Sequence, residues 1–275
     1  MTAAPTPAPD RGITMIGGGR MASALAEGFC RAGLVEPHQI TVYDPAEAAR
    51  EALAHRLPGL RLAGSAAEAA TAARLVWLAV KPQQAADACS GFAAGMEGRT
   101  LVSILAGIST ATLAEMAGTA SVIRVMPNTP CLVGEGVSVV CHTPATPPDL
   151  VGRVRELLAA VGHVHEADES LMDAVTALSG SGPGFLALIV EALAAGGERA
   201  GLPAPLAMAL AVQTLAGTGA LLEQTGEEPA VIRERVSSPG GTTLAGLAVL
   251  TERGVPEAIV DAVAAATRRA GELGR

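Results

Sequence analysis

Residues 12–22, Gly-Ile-Thr-Met-Ile-Gly-Gly-Gly-Arg-Met-Ala, decide the fold of this 275-residue chain. An apolar run, predicted to be a strand, leads into three glycines, and a helix is predicted from residue 21 to residue 32. The spacing Gly17-x-Gly19-x-x-Ala22 at such a turn is typical of the first βα unit of a dinucleotide-binding domain. Glycine suits this position because a pyrophosphate must reach the N–H groups of a helix N-terminus without meeting a Cβ atom. The alternative is a glycine turn that binds nothing.

Strand patterns and helix patterns alternate through the rest of the first part of the chain. Further strands are predicted at residues 40–43, 75–80, 100–105, 122–126, 137–141 and 161–166. Fully apolar strands separated by helices predict a parallel sheet that is covered on both faces. The fold class is therefore α/β, with an N-terminal Rossmann-type doubly wound domain.

Strand patterns stop near residue 168, and long Ala/Leu helical stretches follow. Helices are predicted at residues 171–178, 185–200, 206–222, 229–236, 242–253 and 256–273, with glycine-rich breaks at 180–184 and 239–241. We predict three parts: a disordered N-terminal tail (1–11), a dinucleotide-binding domain (12–168) and an all-helical substrate and dimerisation domain (169–275).

Composition excludes several classes of partner. Aromatic residues make up 2% of the chain and the net charge is −8, which argues against nucleic acid. The four cysteines lack CxxC spacing and the five histidines form no HExxH pattern, so we expect reduced thiols in a cytoplasmic protein and no metal. The apolar run 206–222 is interrupted by Gln213 and falls short of a membrane span, which takes about 20 apolar residues. We expect no membrane contact.

Three polar residues stand at predicted strand ends. Asp44 follows the second strand, where a carboxylate accepts hydrogen bonds from ribose hydroxyls and repels a 2′-phosphate, although a turn aspartate before Pro45 is the alternative. Lys81 is expected to face the cofactor or, alternatively, solvent. Asn128 offers a donor and an acceptor for a nicotinamide carboxamide.

Two glycine-rich stretches punctuate the helical part. Residues 237–243, Ser-Ser-Pro-Gly-Gly-Thr-Thr, precede a predicted helix and make a cradle of free N–H groups for a phosphate or a substrate carboxylate. A linker turn with an N-capping threonine is the alternative. Residues 178–184, Leu-Ser-Gly-Ser-Gly-Pro-Gly, are interpreted as a functional loop or as a close helix crossing.

These motifs, with Leu-Ala-Val-Lys-Pro-Gln at 78–83, Arg-Val-Met-Pro-Asn-Thr-Pro at 124–130 and Gly-Glu-Gly at 134–136, occur in an order that resembles the pyrroline-5-carboxylate reductase family. The resemblance covers the chain after residue 11, and the stretch 238–247 is its most specific part. It implies reduction of 1-pyrroline-5-carboxylate, a cyclic imino acid, to L-proline with NADPH or NADH. It also implies a homodimer through the helical domain, and larger rings such as a decamer.

The resemblance assigns site residues position by position. It implies that the cofactor is contacted by Ile16, Gly17, Gly18, Gly19, Arg20, Met21, Ala79, Val80, Lys81, Pro82, Ile104 and Ala106. For the substrate it implies Glu169, Thr242 and Thr243, beside the cradle residues Ser238, Gly240 and Gly241, with Thr243 as the catalytic group that hydrogen-bonds the ring nitrogen.

The chain departs from the family pattern at Arg20, Ala66, Gly184 and Arg235, which bears on the choice of cofactor more than on the reaction. Two other functions fit the first domain. A β-hydroxyacid dehydrogenase requires a catalytic lysine on the first long helix after the sheet, but Lys81 is the only lysine in the chain. A dinucleotide sensor without turnover has no evident use for the cradle at 238–243.

Overall fold

The structure, a computed structural model, describes residues 12–274, so the tail predicted at residues 1–11 lies outside the described residues. Packing divides the chain into two compact units. Of the described residues, the first unit contains 12–180 and 266–274, and the second unit is Ser181–Ala265. The domain boundary placed after residue 168 stays a prediction.

One eight-stranded sheet forms the centre of the first unit, with the strand order β3-β2-β1-β4-β5-β6-β7-β8. The strands are β1 (Ile13–Ile16), β2 (Ile40–Tyr43), β3 (Arg61–Leu62), β4 (Leu75–Leu78), β5 (Thr100–Ser103), β6 (Val122–Met126), β7 (Gly136–His142) and β8 (Gly162–Glu166). The order runs outward from β1 in both directions. The carboxyl ends of β1, β2, β4 and β5 therefore lie along one edge of the sheet, where α/β folds bind their ligands.

The prediction of a wholly parallel sheet is wrong at one pair, because β6 and β7 run antiparallel. The chain between them, residues 127–135, holds only the 3₁₀ turn Thr129–Val133. A parallel return requires a crossover of about a dozen residues or more, so this connection forces the reversal. Strand β3 escaped the sequence prediction because it has two residues and both are exposed.

Seven α-helices belong to the first unit: α1 (Arg20–Arg31), α2 (Glu47–Arg56), α3 (Ala66–Ala70), α4 (Ala85–Ser90), α5 (Thr110–Ala117), α6 (Pro148–Ala159) and α7 (Met172–Val175). They cover both faces of the sheet. Successive side chains of a strand point to opposite faces, so alternate residues pack in two different cores. In β4, Trp77 packs with Phe29 in one core, with ring centroids 5.5 Å apart. Its neighbour Leu78 packs with Phe92 in the other. This two-sided burial confirms the doubly wound fold.

The second unit is helical: α8 (Gly182–Arg199), α9 (Ala204–Thr225), α10 (Pro229–Arg235), α11 (Thr242–Glu252) and the first part of α12 (Val255–Leu273). Helices α8 and α9 pack through Ala194, Ala207 and Ala211. These small side chains let the helices approach closely but bury little apolar surface. By length and composition alone, the stretches Glu169–Arg199 and Ala204–Thr225 could each cross a membrane.

The glycine-rich stretch at 178–184 is not a loop, which corrects the predicted break. A π-helix, Thr176–Gly180, follows α7 directly, and α8 begins at Gly182. Pro183 lies in the first turn of α8, where a backbone N–H would have no acceptor within the helix, so proline is tolerated there. Gly180 lies against Met126, whose Cε a Cβ atom at this position would meet. One glycine of the stretch is therefore required by packing.

All four cysteines are free thiols. Burial raises the pKa of the Cys30 and Cys89 thiols to about 11. The pKa of Cys141 also rises to about 11, through burial and then the nearby Glu169 carboxylate. The thiols are therefore protonated near neutral pH, as expected for buried structural cysteines.

Gly17 closes the turn between β1 and α1 under two constraints. Its φ is +106°, a conformation that favours glycine, and an ideal Cβ atom would lie 2.5 Å from the carbonyl oxygen of Ala79. Its N–H donates to the carbonyl of Tyr43 at 2.8 Å, so the turn is held between β2 and the end of β4. Only a residue without a side chain fits.

We expect Gly17→Ala to lower the free energy of unfolding by about 1–3 kcal/mol or more, because it adds backbone strain and a backbone clash. Chemical denaturation followed by circular dichroism measures the change. Gly152→Ala is the matched control, since Gly152 is exposed inside α6 with no atom near its Cβ position, and it is expected to gain up to about 1 kcal/mol. Equal stability of Gly17→Ala and wild type would contradict the close approach.

Candidate active site

A cleft of about 580 Å³ opens at the carboxyl ends of β1, β2 and β4. Seven of the predicted cofactor residues line it: Ile16, Gly17, Gly19, Asp44, Ala79, Val80 and Lys81. They come from three separate strand ends, which the sheet order places side by side. The cleft therefore has the position that nucleotide ligands occupy in doubly wound folds.

The floor of the cleft leads to the N-terminus of α1. Gly19 caps this helix without a side-chain hydrogen bond, and Arg20 is the first helical residue. The N–H groups of a helix's first turn lack intrahelical acceptors, and the helix dipole adds positive potential there. Gly19 and Arg20 are exposed, and no atom lies within 4 Å of an ideal Cβ at Gly19. This end of α1 can thus accept an anionic group.

Asp44 stands beside this helix end with its carboxylate fixed in place. One oxygen accepts from the N–H of Gly18 at 2.8 Å and the other from the N–H of Ala46 at 2.9 Å. Arg50 donates to the carbonyl oxygen of Asp44 at 2.5 Å, and no cation among the described residues pairs with the carboxylate. The two predicted roles of Asp44 are therefore compatible. Its carboxylate stabilises the turn, and because Asp44 also lines the cleft, the remaining lone pairs can accept hydrogen bonds from a ligand.

The end of β4 forms the opposite wall. Ala79 extends the pairing with β1, since its N–H donates to the carbonyl of Ile16 at 2.8 Å. Lys81 is exposed and precedes the short 3₁₀ turn Pro82–Gln84. Ile104 lies next to this wall, because its N–H donates to the carbonyl of Leu78 at 3.1 Å. Ala106 follows two residues later in the same loop.

The side chains of Asn128 and Glu169 each accept hydrogen bonds from another residue of the first unit. Asn128 is buried, and its Oδ1 accepts from the N–H of Val137 at 2.9 Å, which stabilises the β6–β7 connection. Its proposed contact with a carboxamide stays a prediction. The carboxylate of Glu169 accepts from both the N–H and the hydroxyl of Thr110, at 2.5 and 2.6 Å.

The predicted substrate cradle lies in the second unit. Gly240 has a φ of +69°, and the N–H of Gly241 donates to the carbonyl of Ser238 at 2.9 Å, so the chain turns tightly before α11. Gly241 caps α11 with no side-chain hydrogen bond, and Thr242 and Thr243 are its first two residues. The first-turn N–H groups of α11 and the hydroxyls of the two threonines thus offer a second set of donors.

Some lining residues were not anticipated from the sequence, among them Tyr43, Pro45 and Ala46 beside Asp44. Gln84, Asp87, Ala88 and Gly91 complete the cleft wall, and they come from the segment after Lys81. No motif marks this segment as functional.

Ala66, where the family pattern often has asparagine, lines the same cleft. Arg235, another departure, forms an ion pair with Glu227, and the hydrogen bond between them holds the pKa of that carboxyl below its usual range.

Two family models match the chain. A model described as pyrroline-5-carboxylate reductase dimerisation matches residues 169–273. A second, described as NADP oxidoreductase coenzyme F420-dependent, matches residues 12–107, which hold β1, β2, β4 and all the residues that line the cleft. The two matches separate a nucleotide-binding part from a dimerising part.

Curated relatives match over nearly their full length. A pyrroline-5-carboxylate reductase of Synechocystis is 42% identical over 263 residues, covering 96% of this chain and 98% of the relative. One from Arabidopsis thaliana is 39% identical and covers 98% of both. A Plasmodium falciparum pyrroline carboxylate reductase solved with NADP bound has a TM-score of 0.88 at 29% identity and covers 96% of this chain and 98% of its own. The chain belongs to the pyrroline-5-carboxylate reductase family.

Proposed function

We propose that the protein reduces 1-pyrroline-5-carboxylate to L-proline with NADPH or NADH, the last step of proline biosynthesis, in the cytoplasm. The observation that carries the proposal is the donor-lined N-terminus of α11, which one chain combines with a glycine-lined dinucleotide cleft. The full-length similarity to pyrroline-5-carboxylate reductases supports the same reaction.

The residues of the first unit fit a dinucleotide. Gly17 keeps the turn free of a side chain, and the N-terminus of α1 can hold the pyrophosphate. We assign Asp44 to the adenosine ribose, and Ala79–Pro82 and Ile104–Ala106 to the nicotinamide half. When bound, the reduced nicotinamide supplies a hydride. The protein's task is to hold the reacting carbon of the substrate within reach and to exclude water.

The residues of the second unit suit the substrate's two polar groups. The N–H groups of Ser238, Gly240 and Thr242 donate to the carboxylate, because a helix N-terminus stabilises an anion. The hydroxyl of Thr243 hydrogen-bonds the ring nitrogen, whose charge changes as the imine becomes an amine. No general acid is required if the imine arrives protonated. Absorbance of the reduced nicotinamide, followed after addition of the imine, tests the reaction directly.

We expect Thr243→Ala to lower kcat/KM for the imine about 10- to 100-fold, because it removes a hydrogen bond that strengthens as charge changes. The dissociation constant of the dinucleotide should stay unchanged, since the resemblance assigns Thr243 to the substrate and not to the dinucleotide. Thr251→Ala is the control, an exposed threonine of the same helix. Full turnover by Thr243→Ala would remove Thr243 from the mechanism.

We expect NADH to support turnover, because the Asp44 carboxylate lines the cleft without a cation partner and would repel a 2′-phosphate. In Asp44→Asn the repulsion is lost while the amide oxygen still accepts a hydrogen bond. The ratio of kcat/KM for NADPH to that for NADH should therefore rise by about tenfold. A wild-type preference for NADPH by orders of magnitude would exclude the ribose role of Asp44.

The second unit also supports assembly. Apolar side chains on α8, α11 and α12 are exposed, among them Leu188 at 65%, Val249 at 54% and Val260 at 67%. Patches of this kind mark interaction surfaces, and the dimerisation model covers these helices. We propose that a second copy of the chain covers these faces, and that no membrane does. The larger ring that the resemblance implies is a decamer.

Leu188→Asp should weaken the dimer by at least about tenfold, because a carboxylate would be buried against apolar surface. Size-exclusion chromatography with light scattering at several protein concentrations measures the change. Leu62→Asp introduces the same charge at an exposed leucine of the first unit and should leave the dimer intact. A monomeric wild type, or equal effects of the two substitutions, would contradict the assignment of the interface.

A further inference from the structure

Arg124 is the one charged residue in the buried set of the described chain, at 4% exposure. It interrupts the apolar strand β6, Val-Ile-Arg-Val-Met. Burying a guanidinium is costly unless carboxylates compensate it. A buried arginine in the middle of an internal strand therefore points to a specific task.

Two carboxylates face the guanidinium. Nη1 lies 3.5 Å from Oε1 of Glu169, and Nη2 lies 3.6 Å from Oδ1 of Asp173. Within residues 12–274, Nη2 has no hydrogen-bond partner. The guanidinium thus compensates the charge of both acids at ion-pair distances, and the Glu169 carboxylate also accepts hydrogen bonds from another residue.

The orientation of Glu169 is set by Thr110, the first residue of α5. Oε1 accepts from the N–H of Thr110 and Oε2 from its hydroxyl. A carboxylate at this point is also stabilised by the helix dipole. Charge compensation by Arg124 and two hydrogen bonds from Thr110 together join β6, the segment before α7 and the start of α5.

The loop that ends at Thr110 is Ile104–Ser109, and it is fixed at three points. Its start is hydrogen-bonded to Leu78 at the end of β4. In its middle, Gly107 has a φ of +79°, and an ideal Cβ atom would lie 2.7 Å from the carbonyl oxygen of Ala270, within the last turns of α12. Its end is held by Glu169. Of these three contacts, the one with Glu169 depends on the buried charge of Arg124.

We infer that Arg124 is a positioning residue, which holds Glu169 against the start of α5 and thereby sets the loop 104–109 for the dinucleotide. The inference rests on the proposed function, in which Ile104 and Ala106 contact the nicotinamide half. Arg124 itself touches neither dinucleotide nor imine in this scheme. Its effect should therefore appear in the dissociation constant of the dinucleotide, measured without the imine.

The test uses the full-length protein and titrates NADH and NADPH by nicotinamide fluorescence. Arg124→Met should raise the dissociation constant about tenfold, because Glu169 loses its charge partner. Arg124→Lys, which keeps one cation, should recover part of the loss. These dissociation constants are measured without the imine, because the resemblance assigns Glu169 to the substrate as well.

Thr110→Val keeps the ion pairs and the shape of the side chain, so it tests the same path if Arg124→Met does not fold. It should raise the dissociation constant by about three- to tenfold. In the double variant the two effects should not multiply, because both act through Glu169. Asp173→Asn is the control: it removes the other ion pair, lowers the melting temperature, and should leave the dissociation constant within about twofold.

Wild-type affinity in both Arg124→Met and Thr110→Val would overturn the inference, as would multiplying effects in the double variant. A fall in affinity in Asp173→Asn equal to that in Arg124→Met would also overturn it, since a purely structural role predicts that result. Absence of imine reduction by the wild-type protein counts against the proposed function instead, because the affinity measurements do not involve the imine.

Discussion

The close approach between Gly17 and the end of β4 is the constraint on which the site depends. A positive φ and a carbonyl oxygen 2.5 Å from the position of a Cβ atom leave room only for hydrogen there. This approach lets β1 end beside Ala79 and lets α1 begin where its free N–H groups face the cleft. Strand order then places Asp44 and Lys81 on the same cleft.

Cationic side chains contribute little to the proposed anion contacts of this chain. The net charge of −8 would repel a dinucleotide or a carboxylate, and the chain has a single lysine. Backbone N–H groups at the N-termini of α1 and α11 replace cationic side chains as the proposed anion contacts. The one buried arginine faces two carboxylates of its own chain. The helices of the second unit pack through a small alanine core, so many of their apolar side chains are exposed in the single chain and are available to a partner subunit.

Sequence patterns predicted seven of the eight strands and the long helices, because each has a continuous apolar run or a helical period. They failed where local pattern and tertiary context disagree. The exposed strand β3 has no apolar run. The antiparallel return of β7 depends on the connection before it. The glycines at 180–184 resemble a loop, yet π-helical and α-helical hydrogen bonds run through them except at a bend at Ser181.

The sequence by itself determined the doubly wound fold, the family and the two donor-rich turns at 17–19 and 238–243, because glycine spacing and apolar period are local properties of the chain. Only the tertiary structure decided what those residues contact. Arg124 and Glu169 are 45 residues apart in numbering (169 − 124), and no pattern pairs them, but the sheet brings them within 3.5 Å. Partners distant along the chain are chosen by packing, since the charge of a buried residue must be compensated by whatever the fold places beside it.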